Sequence, residues 1–229
     1  LIVGEIYVRR DDFAVDELVR LLSEKAIIGK ASGVGEWIHY LDFVREYRLK
    51  NQLALIPLRK RLFSQTMRQY LTLQIEKWWK RRVERRIGRV LRKSKLLPHT
   101  PHNMKKIMGN AKTHFLSHEL NSEIAVSSGV AATAMEEGYS GVINISPFAC
   151  LIGRVIEGIY YPWAREKRYP MLSVEVDGNL LPPNIISKLN IFMVNVLRFR
   201  NKLDSLDFVV PAGEMPEEAK TSLERQTVR

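Results

Sequence analysis

The chain has 229 residues, of which 45% are hydrophobic, so it can bury a sizeable core and is not a disordered segment. Its single cysteine excludes an internal disulfide and any metal site built from several cysteines of this chain. No apolar run approaches the about 20 residues that a transmembrane helix needs. A lone thiol also fits a reducing compartment, so we expect a cytoplasmic protein.

The net charge of +11 is concentrated in one segment. Residues 45–115 hold 20 Lys and Arg against three acids, a balance of +17, whereas the remainder has a balance of −6. The basicity therefore belongs to that segment and not to the whole chain. The chain opens on the strand-like Leu1-Ile2-Val3 without an initiator Met or a signal-peptide pattern, from which we expect a fragment of a longer protein.

The first elements follow a β-α-β pattern. Residues 1–8 are mostly apolar and β-branched, which predicts a buried strand of a parallel sheet. Asp11 or Asp12 can cap the following helix, which we expect to end near Glu24. Residues 26–31 predict a weaker second strand. Two strands joined through a helix indicate a parallel pair with a right-handed crossover.

The central segment predicts basic helices over about 45–95, interrupted at Pro57, and a further helix over 103–118. The main helix carries an apolar stripe formed by Leu71, Ile75, Trp79, Val83, Ile87 and Val90. Its opposite face carries cations that include Lys77, Lys80, Arg81, Arg85 and Arg92. The interpretation we favour is a solvated basic face over a stripe packed inward.

A binding role for these helices is the alternative. Basic side chains with Trp78 and Trp79 beside them can bind nucleic acid through phosphate contacts and stacking, or lie on an anionic membrane surface. Both tryptophans lie on or next to the stripe, however, and a groove that binds nucleic acid more often presents aromatic rings among its charges. We therefore do not expect nucleic acid as the partner.

The α/β pattern resumes in the last part of the chain. We predict helices over 122–135, 151–164 and from Pro182-Pro183 onward, strands over 142–145 and 171–176, a helix-ending Gly138, and a polar tail. The predicted fold class is α/β, with a Rossmann-like (flavodoxin-like) parallel sheet and a basic helical insertion. The domain prediction is an α/β domain over 1–205, the insertion at about 48–118, and the tail over 206–229.

The strand at 142–145 leads into the loop that carries the only cysteine. Ser146, Pro147 and Phe148 precede Cys150, and a helix follows. Ligands bind where strands of an open α/β sheet end, and a helix N-terminus favours a thiolate. Cys150 is therefore either a ligand or nucleophile, or a buried and inert core residue. A nucleophile would lack a local base, because the histidines lie elsewhere, at positions 39, 99, 102, 114 and 118.

Two further observations concern chemistry. Glu123 is either a catalytic or ligand-orienting carboxylate, or an acid that favours a helix N-terminus electrostatically. No Walker A or G-x-G-x-x-G pattern follows any predicted strand, so the chain has no glycine motif for nucleotide binding.

Four stretches resemble one family in the same order. GVINISPFACLIGRVIEGI, at 141–159, resembles a signature of proteins related to 2-hydroxyacyl-CoA dehydratases and their activases. GEIYVRRDDFAVDELVRLLSEKAI, GEWIHY and MLSVEVDGN are similar to the family's opening "G-E-x-Y-v-R" stretch, its "E-W" element and its final strand with a "D-G-Q" turn. The signature glycine before the cysteine is Ala149 in this chain.

This resemblance implies a C-terminal, dehydratase-subunit-like domain of a large activase-related protein, with a Rossmann-like architecture. In that family an ATP-hydrolysing, actin-like module passes electrons through a [4Fe-4S] cluster to a dehydratase-type iron–sulfur site, and the chemistry acts on CoA thioesters. Cys150 matches the signature cysteine and would be one cluster ligand, the others lying outside this fragment. Its pocket would include Ser146, Pro147, Phe148 and Glu123. The implied partners are an activase ATPase module or a dehydratase subunit.

Overall fold

A computed structural model describes residues 1–91, 93, 103–116 and 123–204. Arg92 of the predicted basic surface and the predicted tail at 206–229 lie outside these residues, as do the ends of two predicted helices, at 92 and 94–95 and at 117–118. The domain boundaries at about 48, 118 and 205 stay predictions.

The described chain is mostly helical and contains a small parallel sheet of three strands, in keeping with an α/β class. Its elements, in chain order, are β1 Ile2–Gly4, α1 Asp12–Ser23, α2 Val34–Leu55, α3 Leu58–Arg61, α4 Gln65–Leu91, α5 Met104–His114, α6 Glu123–Glu136, β2 Val142–Pro147, α7 Leu151–Lys167, β3 Met171–Val176 and α8 Pro183–Asp204.

The strand order is β1-β2-β3, and both pairs are parallel, with Ile2 opposite Ile143 and Ile145 opposite Val174. Side chains of a strand point alternately to the two faces. One face packs on α1 and α8 through a core that includes Leu18, Leu22, Ile143, Ile145, Leu172, Val174, Leu189 and Phe192. The other packs on α2, α5, α6 and α7 through residues that include Val3, Tyr40, Ile107, Val126, Val142, Ile156 and Tyr160.

The first predicted strand is shorter than expected. β1 ends at Gly4, whose φ of +118° no longer follows the strand and where a Cβ atom would lie 2.0 Å from the Ile145 carbonyl oxygen. The Glu5 carboxylate then accepts hydrogen bonds from the amides of Tyr7 (2.9 Å) and Val8 (2.8 Å). The chain therefore turns into a short 3-10 helix, Val8–Arg10, instead of continuing as a strand to residue 8.

The strand predicted at 26–31 is wrong as a strand, although this segment does lie beside β1. The Ile2 amide donates to the Lys30 carbonyl (2.8 Å) and the Ser32 amide donates to the Ile2 carbonyl (2.9 Å), which makes one parallel bridge between Ile2 and Ala31. Since β1 itself has only three residues, it offers too few backbone groups for a longer ladder.

The inward packing predicted for the α4 stripe is also wrong. Ile75 is 67% exposed, Ile87 53% and Val90 64%. The face of α4 that meets α2 carries the buried Leu73 and a row of ion pairs, formed by Lys77 with Glu46, Lys80 with Asp42, Glu76 with Arg45 and Glu84 with His39. The side of α4 that forms these pairs faces α2, and the apolar stripe lies on the outside.

Among the described residues, no helix is both long enough and apolar enough to cross a membrane.

The close approach of α5 and α6 gives a matched test of the packing. A Cβ atom at Gly129 would lie 2.1 Å from the Ile107 carbonyl oxygen, whereas one at Gly109 would meet nothing within 4 Å. Gly129→Ala is expected to lower the free energy of unfolding by about 3 kcal/mol because two helix backbones must separate. Gly109→Ala is expected to raise it by about 0.5–1 kcal/mol because it adds a better helix former. Urea denaturation of both variants measures the difference, and equal shifts would contradict this packing.

Candidate functional site

The carboxyl ends of the strands form the candidate site. Residue 31 pairs on one side of β1, and β2 pairs on its other side, so the chain direction across the sheet reverses between β1 and β2. Ligands of open α/β sheets bind at such a reversal, beyond the carboxyl ends of the strands. In this chain the corresponding place is the edge between the turn at residues 5–10 and the loop at 147–150, and we call this region the edge crevice.

On the β1 side of the edge crevice, a buried arginine contacts the segment that leads into α2. Arg9 is 1% exposed, and its Nη1 atom donates to Ser32 Oγ at 3.0 Å. Ser32 Oγ also hydrogen bonds to Glu36 Oε2, which lies 3.6 Å from Arg9 Nη1. Burial raises the pKa of Glu36, although Ser32 and Arg9 act in the opposite direction. The Nε and Nη2 atoms of Arg9 are buried and have no hydrogen-bond partner among the described residues.

Glu123 is the second buried charge at this edge. It begins α6, is 7% exposed, and accepts a hydrogen bond from the Ile6 amide. Burial raises the pKa of Glu123 to about 7, with a further contribution from the nearby Glu5 carboxylate and an opposing one from Arg9. Its Oε1 atom is buried without a partner in the described part of the chain. A carboxyl group with such a pKa can take up or release a proton near neutral pH.

The β2 side of the edge crevice carries the cysteine loop. Cys150 is half-buried, free, and the N-cap residue of α7, yet its side chain makes no cap hydrogen bond. Ala149, before it, has a φ of +56°, the left-handed region in which glycine is favoured. Phe148 is 71% exposed, and Leu151, after the cysteine, is 77% exposed. The thiol therefore lies in an open loop with apolar side chains on both sides.

Beneath this loop the end of β2 is polar and tightly packed. Ser146 is 1% exposed, and its Oγ atom lies against Gly153, where a Cβ would approach to 2.2 Å. Asn144 Nδ2 donates to the Gly153 carbonyl (3.3 Å) and to Ser173 Oγ (3.0 Å), while its Oδ1 atom is buried without a partner among the described residues. These contacts hold the first turn of α7, and so the Cys150 loop, against the sheet.

The predicted site residues separate into two regions. Cys150, Ser146, Pro147, Phe148 and Glu123 all lie at the carboxyl edge of the sheet. The predicted basic surface lies on α4, and its cations differ in whether they are paired with acids. Lys77 and Lys80 are paired with acids of α2, whereas Arg81 and Arg85 are exposed.

Arg9, Ser32, Glu36 and Asn144 were not predicted as site residues. An arginine soon after a strand end and a serine at the end of the neighbouring segment were visible in the sequence. What the sequence did not show is that the turn at 5–10 directs the arginine into the protein.

Comparison of the chain with protein-family models, curated proteins and solved structures finds no match. The resemblance to dehydratases and activases therefore stays a prediction.

A complete iron–sulfur cluster does not fit this chain by itself. A [4Fe-4S] cluster is usually held by about four cysteine thiolates, and Cys150 is the only cysteine. Within the described residues, no three His, Cys, Asp or Glu side chains are grouped to hold a metal ion. The chain can offer one thiolate to a site that other residues complete.

The burial of Glu123 predicts a pH dependence of stability. Its pKa is about 7 in the fold against an ordinary value of 4.5. The fold favours the neutral form, so the stabilisation is present below pH 4.5 and is lost as the pH rises towards 7. Glu123→Gln cannot lose this stabilisation, because glutamine does not titrate. The free energy of unfolding of the variant is therefore expected to rise by about 3 kcal/mol, relative to that of the unmodified chain, between low and high pH. Urea denaturation at the two ends of this range measures the gain.

Glu166→Gln is the control, because the Glu166 side chain is 72% exposed and its substitution leaves the pH profile of stability unchanged. Parallel profiles for Glu123→Gln and the unmodified chain would contradict the buried carboxyl group.

Proposed function

We propose that this chain is an iron–sulfur-associated domain related to 2-hydroxyacyl-CoA dehydratases and their activases. In this proposal Cys150 gives one thiolate to a [4Fe-4S] cluster whose other ligands lie outside the chain. The domain has a Rossmann-like arrangement and works in the cytoplasm with an activase ATPase module or a dehydratase subunit. It supports ATP-driven electron transfer to an enzyme that acts on CoA thioesters.

The observation that carries the proposal is the position of Cys150. It caps α7 at the edge crevice without using its sulfur in a cap hydrogen bond, so the sulfur is available to a metal. The positive end of the α7 dipole also favours a negatively charged sulfur there. The left-handed conformation of Ala149 supports the resemblance, because the family signature has glycine at this place.

The loop has the surroundings that a shared site needs. Phe148 and Leu151 expose apolar surface on both sides of the thiol, which suits contact with a second protein surface that brings the remaining ligands. A bound cluster supplies one-electron transfer. The chain's own contribution would be to hold Cys150 on a rigid loop and to keep a proton on Glu123, whose pKa of about 7 lets it act near neutral pH.

Anaerobic reconstitution tests the ligand role. The full-length protein that contains this chain is loaded with iron and sulfide, and its cluster content is read from the iron–sulfur charge-transfer absorbance and from bound iron. Cys150→Ser is expected to lose the cluster, because a serine hydroxyl is a poor substitute for a thiolate. Ala149→Gly is the control in the same loop, since it keeps the thiol and suits the left-handed backbone. Unchanged cluster content in Cys150→Ser would rule out the ligand role.

Binding of nucleic acid or of another anionic surface by α4 is a second candidate function. Trp78 and Trp79 are 55% and 59% exposed, and the Arg82 guanidinium lies 5.6 Å from the centre of a Trp78 ring. Arg82 also lines a cavity of about 410 Å³ together with Arg85, Arg86 and Arg89. Aromatic rings thus stand among charges, the arrangement that a nucleic-acid groove uses. These features support a surface that binds nucleic acid or another anionic surface.

A further inference from the structure

We propose that the corner between α2 and α4 inserts into the surface of an anionic lipid bilayer. This corner comprises residues 55–63, which include the end of α2, the one-turn helix α3 and the turn that leads into α4, and we call it the helical corner. The proposal names a lipid surface as the anionic partner in the second candidate function above, and to that extent it rests on that function. It does not involve Cys150 or a cluster.

Four large apolar side chains of the helical corner are almost completely exposed. Leu55 is 86% exposed, Leu58 75%, Leu62 72% and Phe63 83%. None of the four residues of α3 is buried, so this short helix contributes no side chain to the core. Single exposed apolar residues are common on soluble proteins. Several large ones within one short segment form a patch, and such a patch marks a surface that binds a partner.

The pairing of α2 with α4 places the helical corner away from the core. The ion pairs between these helices run from His39 with Glu84 to Arg45 with Glu76, so the two helices are antiparallel and the corner lies at one end of the pair. The last residue of α2 in the core against the sheet is Val44, and the corner begins about three turns later. It therefore lies at the tip of a helical hairpin, where a flat surface can reach it.

The charge in and around the helical corner is entirely positive. Residues 47–75 contain six Lys and Arg and no Asp or Glu. Arg59, Lys60 and Arg68 are exposed, and they have no acidic partner among the described residues. Cations beside exposed apolar side chains are typical of a segment that lies on an anionic membrane, because the cations bind the headgroups while the apolar groups enter the acyl region.

The first half of α4 continues the exposed apolar residues of the helical corner. Leu71 and Ile75 are exposed and four residues apart, so they share one face of α4. Trp78 and Trp79 follow and are exposed as well. Tryptophan is enriched where a membrane meets water, because its ring has an apolar body and a polar N–H group. The sequence of exposed residues from the corner into α4 is therefore one that suits a membrane surface.

The composition of the helical corner favours a bilayer over other partners. Leucine side chains neither stack on bases nor form hydrogen bonds, so a nucleic acid would contact the cations and leave Leu55, Leu58 and Leu62 exposed. The centre of a protein–protein interface is depleted in charged residues, whereas Arg59 and Lys60 lie between the leucines of this corner. A bilayer surface accommodates both kinds of side chain, because long basic ones extend to the headgroups while their apolar neighbours are buried.

Sedimentation of the full chain with lipid vesicles tests the proposal. The vesicles contain either phosphatidylcholine alone or phosphatidylcholine with about 30% phosphatidylglycerol. The chain is expected to bind the anionic vesicles at low salt and to bind them more weakly as the salt concentration rises, because salt screens the headgroup charge. Binding to the uncharged vesicles is expected to be weaker by about tenfold or more.

A pair of apolar substitutions tests the insertion of the helical corner. Leu58→Ser/Phe63→Ser is expected to lower the vesicle partition coefficient by about tenfold or more, because two inserted side chains are lost. Both side chains are exposed, so the variant keeps its fold, which its thermal unfolding midpoint checks. Leu180→Ser/Ile191→Ser is the matched control, since it also replaces two exposed apolar side chains but lies just before and in α8. Its partition coefficient is expected to stay unchanged.

A charge variant isolates the electrostatic part of the binding. Arg59→Gln/Lys60→Gln is expected to weaken binding to the anionic vesicles by about tenfold. Its binding to the uncharged vesicles is expected to stay the same, because those headgroups carry no net charge. Cys150→Ser is expected to bind vesicles as tightly as the unmodified chain does, so the vesicle assay and the cluster assay report on separate proposals.

Any of three results would overturn the proposal. The first is the absence of binding to anionic vesicles at low salt, including the case in which the chain instead self-associates through Leu58 and Phe63. The second is an equal loss of binding in the control variant on α8. The third is binding of a single-stranded oligonucleotide without binding of vesicles, which would leave the second candidate function in place with nucleic acid as its partner. The iron–sulfur proposal is unaffected by all three.

Discussion

The burial of the Arg9 guanidinium is the constraint on which the β1 side of the molecule depends. An arginine stays charged at all ordinary pH values, so a buried one must be matched by acceptors. Ser32 and Glu36 supply acceptors for it. Ser32 follows the segment that pairs with β1, and Glu36 lies in the first turn of α2. The ion pair of Arg9 and Glu36 therefore links the segment after the first strand to the start of α2. Removing one partner alone would leave an uncompensated buried charge, which commonly costs about 3–5 kcal/mol.

The edge crevice follows from this link and from the polar end of β2. Arg9 and the turn after Gly4 form one wall, and the Cys150 loop, held by Asn144 and Ser146, forms the other. Glu123 lies at the same edge and has a pKa of about 7 because it is buried near another carboxylate. A half-buried thiol and a carboxyl group with a pKa of about 7 thus lie at the edge where the strand order reverses. This is the physical basis for assigning function to this edge.

Some local signals in the sequence were read correctly. Asp11 caps α1 by accepting from the Ala14 amide at 3.3 Å, and β3 has the bounds that its apolar run indicated. Ser146 lies at the end of the strand predicted from 142, and Glu123 lies at the start of the helix predicted from 122, because strand ends and helix starts are marked by nearby residues. The link between Arg9 and Glu36 could not be predicted in this way, since it joins positions 27 apart through the turn of the chain.

The outer helices show a second limit of sequence patterns. The periodicity of the sequence identified the apolar stripe of α4, but a periodic pattern does not show whether the stripe is buried against another element. The face of α4 that packs on α2 is the one that forms ion pairs, and the stripe and the tryptophans are exposed.

The central claim is that Cys150 is an accessible thiol held in an open loop, and its alkylation rate measures this directly. Iodoacetamide labelling of the native chain, followed by mass spectrometry, is compared with labelling of the chain unfolded in urea. The account predicts that the native thiol reacts at a rate comparable with that of the unfolded chain, since Cys150 is only half-buried. Protection that persists until the chain unfolds globally would contradict it and would make Cys150 an inert core residue.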